Sequence, residues 1–213
     1  MGASGDLGDV ERRINWAGRA KKFLGAGFSA LDARGATAPA ALLRLYQSLT
    51  RAERLAVLSV FMHLRYRPAS ELLFRVVRSR DSELAGVACG ALAAIGGKAV
   101  RSRLCELLAD SRSSAVRARA ATAVAFLASR ATFRASEVAI LLRSLQNEAE
   151  CDAVRLAAVE ALGKIASSSR RTRSTYDRVI AALARQKMDN NSIVRRTAAV
   201  ELRAVRAAKR RRA

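Results

Sequence analysis

Apolar residues recur along this chain with the three-to-four-residue spacing of an amphipathic helix, and no stretch shows the period-two alternation of a half-buried strand. This pattern predicts an all-α fold. Helices are expected over about residues 9–24 and 39–49, followed by helical pairs and one last helix. The predicted pairs are 52–65 with 69–79, 82–95 with 98–109, 114–128 with 135–146 and 152–166 with 174–187, and the last helix is 192–207.

The first helix of each pair repeats one arrangement of apolar and basic residues. Position 0 of the repeat is Leu84, Val116, Val154 and Val194, and a looser copy starts at Glu53. Position +8 is then Leu92, Val124, Leu162 and Leu202, position +11 is Ile95, Leu127, Ile165 and Val205, and position +1 is Ala85, Arg117, Arg155 and Arg195. The five starting residues lie 31, 32, 38 and 40 residues apart, which is typical of solenoids built from stacked helical hairpins.

The motif V-R-x-x-A-x-x-A-L-x-x-I after an aspartate resembles HEAT repeats, in particular the short HEAT-like type first noted in phycobilisome lyases. The segment from Asp189 to Arg195 matches its opening best, and the second copy departs from it at Ala85. The resemblance covers about residues 50–207. It implies a right-handed α-solenoid of about five HEAT-like helical hairpins, and it indicates little about function because such solenoids serve many roles.

The same resemblance gives the repeated arginine at position +1 a structural role. In HEAT repeats an acid in the preceding turn pairs with this arginine and ties the loop to the helix. The acids available here for Arg117, Arg155 and Arg195 are Asp110, Asp152 and Asp189.

The two ends of the chain differ from the repeats. Residues 1–38 are expected to form a basic amphipathic segment that is partly flexible, 39–207 the HEAT-like solenoid, and 208–213 a basic tail kept disordered by charge repulsion. Residues 1–24 could be a targeting segment or a helix that caps the array. The acidic residues Asp6, Asp9 and Glu11 argue against a targeting presequence, so the capping helix is favoured.

The charge of the chain indicates its partners. The sequence has 39 Lys and Arg against 18 Asp and Glu, a net charge of +21, and Arg outnumbers Lys by 33 to 6. Arginine favours bidentate contacts with phosphates or carboxylates, so a polyanionic or strongly acidic partner is expected. Aromatic residues make up only 5% of the chain, which argues against base stacking in single-stranded RNA.

From these features we predict a non-catalytic scaffold that docks on a polyanion, with RNA within a ribonucleoprotein complex as the first choice. The alternative is a protein–protein adaptor that grips an acidic or helical segment. The polyanion-binding candidates are the basic residues to which the repeat gives no structural role. They are Arg112, Arg119, Arg170, Arg171, Arg173, Arg178, Arg196, Arg203, Arg206, Lys209, Arg210, Arg211 and Arg212.

The residue inventory argues against catalysis, and neither a cofactor nor a metal site is expected. His63 is the only histidine, so every triad or dyad would need it, and it lies in an apolar helical segment. No CxxC pair or HExxH motif exists to bind zinc. The resemblance alone raises two enzyme possibilities, a HEAT-like DNA glycosylase or a bilin lyase relative. The single tryptophan, Trp16, lies outside the repeats, so the aromatic cleft of a glycosylase is missing.

The three cysteines, Cys89, Cys105 and Cys151, lie far apart among apolar helical positions. This arrangement predicts buried reduced thiols and an intracellular reducing compartment. The cytoplasm is the first choice, with a mitochondrial or nuclear location as alternatives. No apolar run is long enough for a membrane span.

Overall fold

A computed structural model describes residues 39–147, 149–168 and 173–211 of the 213-residue chain. Within these ranges the chain is helical and contains no β-strand, which confirms the predicted all-α fold. The helices are α1 (Pro39–Leu45), α2 (Arg51–Leu64), α3 (Ser70–Val77), α4 (Ser82–Ile95), α5 (Gly97–Asp110), α6 (Ser114–Leu127), α7 (Ala135–Gln146), α8 (Asp152–Ser168), α9 (Arg173–Gln186) and α10 (Ser192–Arg210). Short 3₁₀ turns cover Tyr46–Ser48 and Arg67–Ala69.

Most of the predicted boundaries agree with the structure within one or two residues, and two differ from it. The helix predicted over 39–49 ends at Leu45 and gives way to a 3₁₀ turn. The tail predicted to be disordered from residue 208 is helical as far as Arg210, and that prediction was wrong for residues 208–210. The predicted segment 1–38, with its helix at 9–24, and residues 212–213 lie outside the described residues.

Local contacts explain why α10 continues. The Lys209 ammonium lies over the Tyr176 ring of α9, 5.2 Å from its centroid. The Tyr176 hydroxyl donates to the main-chain oxygen of Val205 at 3.4 Å. A cation–π contact of this kind holds the last turn against α9, so the charge repulsion that the sequence predicts is offset.

Capping residues begin and end the helices. Asp81, Ser113 and Asn191 accept hydrogen bonds from main-chain N–H groups in the first turns of α4, α6 and α10. Gly96 and Gly97, between α4 and α5, have φ angles of 63° and 86°, which favour glycine.

The chain divides into two compact units, 1–91 and 92–213, and α4 crosses the boundary. The core of the first unit combines aliphatic with aromatic residues. Its fully buried side chains include Leu42, Leu58, Phe61, Leu73 and Phe74. The Phe61 ring stacks on Tyr66, with centroids 5.5 Å apart, at the end of α2.

The second unit has two layers of helices. The first helices of successive repeats, α6, α8 and α10, pack against one another in order, and the second helices, α5, α7 and α9, do the same beside them. Its core is mainly aliphatic, with Ala121, Val124, Val159 and Leu162 among the buried residues. This stacking of equivalent helices is the solenoid arrangement that the repeat predicts.

Candidate interaction surface

The repeated arginine joins two successive loops in the second unit. Arg117 of α6 donates from Nη1 to the main-chain oxygen of Ser111, in its own preceding loop, at 2.8 Å. Its Nε and Nη2 donate to the two carboxylate oxygens of Glu150, in the next loop, both at 2.8 Å. The hydrogen bond from Arg117 lowers the pKa of the buried Glu150 carboxyl.

Arg155 of α8 repeats this arrangement. Its Nη1 donates to the Glu150 main-chain oxygen at 2.8 Å, and its Nη2 donates to Asp152 at 2.6 Å and to Asp189 at 3.1 Å. Arg195 of α10 keeps the first half only, donating to the main-chain oxygens of Asp189 at 2.7 Å and Asn190 at 2.9 Å. We call these contacts the arginine ladder.

The ladder confirms the structural role predicted for Arg155 and corrects the partner predicted for Arg117. Asp110 is exposed at the end of α5, and the carboxylate that Arg117 binds belongs to Glu150, 33 residues further along. The prediction placed the acid in the preceding turn, whereas Arg117 and Arg155 bind a carboxylate of the following loop.

In the first unit, one arginine binds the main-chain oxygens of the preceding loop and another binds the carboxylate of the next loop. Arg54 donates to the main-chain oxygens of Tyr46 at 3.2 Å and Gln47 at 2.7 Å. Arg51 binds Asp81 in the next loop at 2.6 Å, and this hydrogen bond lowers the pKa of Asp81 to about 2.

The outer side of α10 carries the largest group of predicted binding residues. Arg196, Arg203, Arg206 and Arg210 are all exposed, and we call them the arginine face. Among the described residues, no carboxylate forms an ion pair with any of them. Glu201 is the only acid of α10, and it is half-buried on another side of the helix, against Gly163 of α8.

Comparison with α8 explains where this face lies in the repeat. Positions +5, +9 and +12 of α8 are Val159, Gly163 and Ala166, all buried. A Cβ atom added at Gly163 would lie 2.6 Å from Cβ of Glu201, so this is the side of α8 on which α10 packs. The same positions of α6 are Ala121, Ala125 and Ala128, also buried, whereas in α10 they are Ala199, Arg203 and Arg206.

The other predicted binding residues are spread over several elements. Arg112 is exposed in the loop before α6, Arg119 is half-buried in α6, and Arg178 is exposed in α9. Lys209 lies over Tyr176, and Arg211 is exposed in the turn that follows α10. Arg170, Arg171 and Arg212 lie outside the described residues, as does the side chain of Arg173 at the start of α9.

Two clefts beside the ladder add basic residues that the sequence analysis missed. One, of about 300 Å³, is lined by Arg117, Glu150 and Arg143; the other, of about 500 Å³, is lined by Arg155, Asp189 and Arg185. Arg143 and Arg185 are exposed in the last turns of α7 and α9. A basic residue at the end of a second helix does not by itself indicate a cleft, so no signal in the sequence identifies these two arginines.

The remaining candidates for chemistry are few. Cys89 and Cys105 are buried, Cys151 is half-buried, and none of the three forms a disulfide. Burial raises the pKa of the Cys105 thiol to about 12, which makes it a poor nucleophile. His63 is exposed in the last turn of α2. The described residues contain no group of three or more His, Cys, Asp or Glu side chains that could hold a metal ion.

The described helices are also too short or too polar to cross a bilayer, so none is a candidate membrane span.

Known structures with a similar arrangement of helices include a designed repeat protein and two engineered proteins. A designed armadillo repeat protein is 19% identical, with a TM-score of 0.55 over 88% of this chain and 90% of its own. An engineered protein solved by the Northeast Structural Genomics Consortium is 22% identical, with a TM-score of 0.56 over 94% and 97%. A second engineered protein from that consortium is 21% identical, with a TM-score of 0.50 over 96% of this chain and 56% of its own.

The chain therefore has the fold of a helical repeat protein. No protein-family model matches its sequence. No curated protein matches it either. At such low identities the structural likeness establishes the fold alone.

Proposed function

We propose that this protein is a non-catalytic scaffold of the HEAT-like type that docks on a strongly acidic partner through the arginine face of α10. RNA within a ribonucleoprotein complex is the partner that the sequence favours. The HEAT-like assignment rests on the repeat motif, and the reducing compartment, cytoplasmic in the first instance, stays a prediction.

One observation carries the proposal. Several described arginines bind carboxylates within the fold, whereas the four exposed arginines of the arginine face lie together on one helix and form no ion pair among the described residues. Arg101, Arg117 and Arg155 have their guanidinium charge matched by Glu137, Glu150 and Asp189. Arg196, Arg203, Arg206 and Arg210 have theirs exposed to solvent. Exposed guanidinium groups on one rigid helix attract phosphates or carboxylates.

RNA bound in this way would be held by phosphate contacts, with little readout of base sequence. Each neutralised phosphate releases counterions from the RNA. The logarithm of the binding constant should therefore fall with the logarithm of salt concentration, with a slope of about 0.7 to 0.9 per phosphate.

The test compares two triple variants that remove the same charge. Arg196, Arg203 and Arg206 are replaced by Ser in one, and the exposed Arg67, Arg75 and Arg130 in the other. Affinity for a labelled single-stranded RNA is measured by fluorescence anisotropy over a salt series. We expect the first variant to lose at least about tenfold in affinity and to have a shallower salt slope, and the control to change about two- to threefold. Equal losses would mean that net charge alone attracts the RNA, and would contradict the proposed site.

An adaptor for an acidic or helical protein segment is the second candidate function. It is favoured by two exposed apolar residues beside the arginine face, Ile193 and Val200, which are 60% and 47% exposed.

A further inference from the structure

We infer that α10 binds an acidic amphipathic helix of a partner protein, which lies across the arginine face and the row of exposed apolar residues beside it. This inference rests on the proposed function of the same surface and names the chemistry of its partner. It depends on the position of the face in the repeat, on a second row of residues beside it, and on the charges of both.

The repeat itself shows that this side of a first helix receives another helix. In α8 it consists of Val159, Gly163 and Ala166, and α10 packs on it. In α10 the equivalent side is uncovered among the described residues, with Arg203 and Arg206 exposed and Ala199 half-buried. This side of α10 therefore lies where a first helix contacts its neighbour, but it carries two arginines where α8 has small residues.

Apolar and basic residues form two parallel rows along α10. Ile193, Val200 and Ala207 are seven residues apart, and Arg196, Arg203 and Arg210 follow the same interval three residues later. Seven residues are nearly two helical turns and advance about 10.5 Å along the axis, so each row runs almost straight. Such a surface matches a partner helix whose apolar stripe is flanked by Glu or Asp at heptad spacing.

Two other helices are excluded from this side of α10, one by side-chain volume and the other by charge. A further hairpin of the same kind would need a small residue at position +9. Arg203 stands there, where α8 has Gly163 without room for even a Cβ atom. Residues 1–38 of this chain carry more basic than acidic residues, so the arginine face would repel them.

The apolar row favours a protein helix over RNA. A phosphate backbone would pair with the guanidinium groups, but it offers nothing apolar to cover Ile193 and Val200. In α6 and α8 the positions equivalent to Val200 are Thr122, which is exposed, and Glu160, which is half-buried, although the next first helix packs on each of these two helices. The partner helix must therefore lie further outward than a following repeat would, so that a leucine stripe covers Ile193 and Val200 while its acids neutralise the arginines.

The experiment measures binding of four labelled probes to the full chain. They are a helical peptide with a leucine stripe flanked by glutamates, a scrambled peptide of the same composition, poly-glutamate, and single-stranded RNA. We expect the helical peptide to bind at least about tenfold more tightly than its scrambled control, with a gain in helical circular dichroism. Equal binding of the helical and scrambled peptides would overturn the inference.

Variants separate the two rows. Replacing Ile193 and Val200 by Ser should weaken the helical peptide about five- to tenfold and leave poly-glutamate and RNA unchanged, since only the peptide uses the apolar row. Phe126→Ser removes another exposed apolar side chain, 58% exposed on α6, and is the matched control. Replacing Arg196, Arg203 and Arg206 by Glu should abolish binding of the acidic helix and create binding for the same helix with lysines in place of glutamates. Failure of the lysine peptide to bind this variant would contradict direct pairing.

The outcomes distinguish this inference from the proposed function. Binding of RNA or poly-glutamate at the arginine face, without preference for the helical peptide, would overturn the inference and leave the proposed docking intact. Failure of every acidic probe to bind would overturn both. Thermal unfolding of each variant checks that the substitutions on this solvent-facing side leave the fold intact.

Discussion

Helices α8 and α10 hold the same place in successive repeats, and one side of each shows what a neighbour demands of a sequence. On α8 that side is Val159, Gly163 and Ala166, because α10 packs against it. On α10 the equivalent positions include Arg203 and Arg206, exposed to solvent. Side-chain volume and polarity therefore follow from whether a helix covers the position, even though the repeat motif is the same.

The arginines of the second unit show the same contrast. Arg117 and Arg155 join two loops through carbonyls and carboxylates, whereas Arg195 binds only the carbonyls behind it. An arginine inside the array is part of its framework. Substitutions can show which residues stabilise the fold and which do not, and their expected effects on stability decrease in the order given.

The largest effect is expected for Glu137→Ala. The Glu137 carboxylate binds Arg101, with Nε 2.9 Å from Oε2, and both residues are buried. Removing one partner leaves an uncompensated buried charge, which typically costs about 3–5 kcal/mol. Urea unfolding should show this loss, and Glu106→Ala, which removes an exposed glutamate from the same helix as Arg101, should stay within about 0.5 kcal/mol. Equal losses would argue against the buried pair.

Gly163→Ala should also destabilise the protein, because the added Cβ would meet Cβ and Cδ of Glu201 at 2.6 Å. Overpacking of this kind costs about 1–3 kcal/mol. The control is Gly86→Ala in α4, where an added Cβ meets nothing within 4 Å. That change should stabilise the helix by about 0.5–1 kcal/mol. Calorimetric melting of both variants gives the comparison, and the same sign for both would contradict close packing of α10 on α8.

Arg155→Met and Arg195→Met compare an inner rung of the ladder with its last. Arg155 loses a carbonyl contact and leaves the buried Asp189 carboxylate without its guanidinium, a cost of about 1–3 kcal/mol. Arg195 loses carbonyl contacts only, at an exposed position, so about 0.5–1.5 kcal/mol is expected. Chemical denaturation measures both values, and an equal or larger loss for Arg195 would mean that the forward carboxylate contributes nothing.

Two glutamates should respond to pH in opposite directions. The hydrogen bond from Arg117 lowers the pKa of the Glu150 carboxyl. The stability that Glu150 contributes to the fold is therefore present above its unfolded-state pKa, and it is lost as the pH falls through its pKa in the folded protein. Burial raises the pKa of the Glu201 carboxyl. The stability that protonated Glu201 contributes is therefore present below its unfolded-state pKa, and it is lost as the pH rises through its pKa in the folded protein. At neutral pH, Glu150→Gln should lower the melting temperature and Glu201→Gln should raise it. Melting curves between acidic and neutral pH check both signs, and shifts in the same direction would contradict the assignment.

The smallest effect is expected for Arg203→Ala. Its side chain is exposed and forms no ion pair among the described residues, so the unfolding free energy should stay within about 0.5 kcal/mol. Binding of an acidic probe should nevertheless weaken in anisotropy titrations. A large loss of stability would mean that Arg203 belongs to the framework of the fold.

The sequence was sufficient for the fold because the repeat is local. Helical spacing, capping residues such as Asn191 and the glycines after α4 all act within a few residues. Ion pairs between residues far apart in the sequence could not be predicted from such local patterns. Asp110 is the acid near Arg117 in the sequence, but Arg117 binds Glu150 in the following loop.

The candidate surface was predicted only in part. The sequence identifies Arg196, Arg203 and Arg206 as basic residues without a structural role in the repeat, but the side of α10 that they occupy follows only from the contact between Glu201 and Gly163. The exposed Arg143 and Arg185 were missed, because a basic residue at the end of a second helix does not by itself indicate a cleft. Arg170 and Arg171 lie outside the described residues, so their predicted role stays a prediction.

The contacts of Tyr176 with Lys209 and Val205 have a consequence for recognition. They keep the last turns of α10 in place, so the guanidinium groups up to Arg210 are spaced before any partner arrives. A flexible basic tail would lose conformational entropy on binding, whereas a preorganised helix has already lost most of it in folding. For the docking proposed above, Tyr176 would therefore raise affinity without touching the partner.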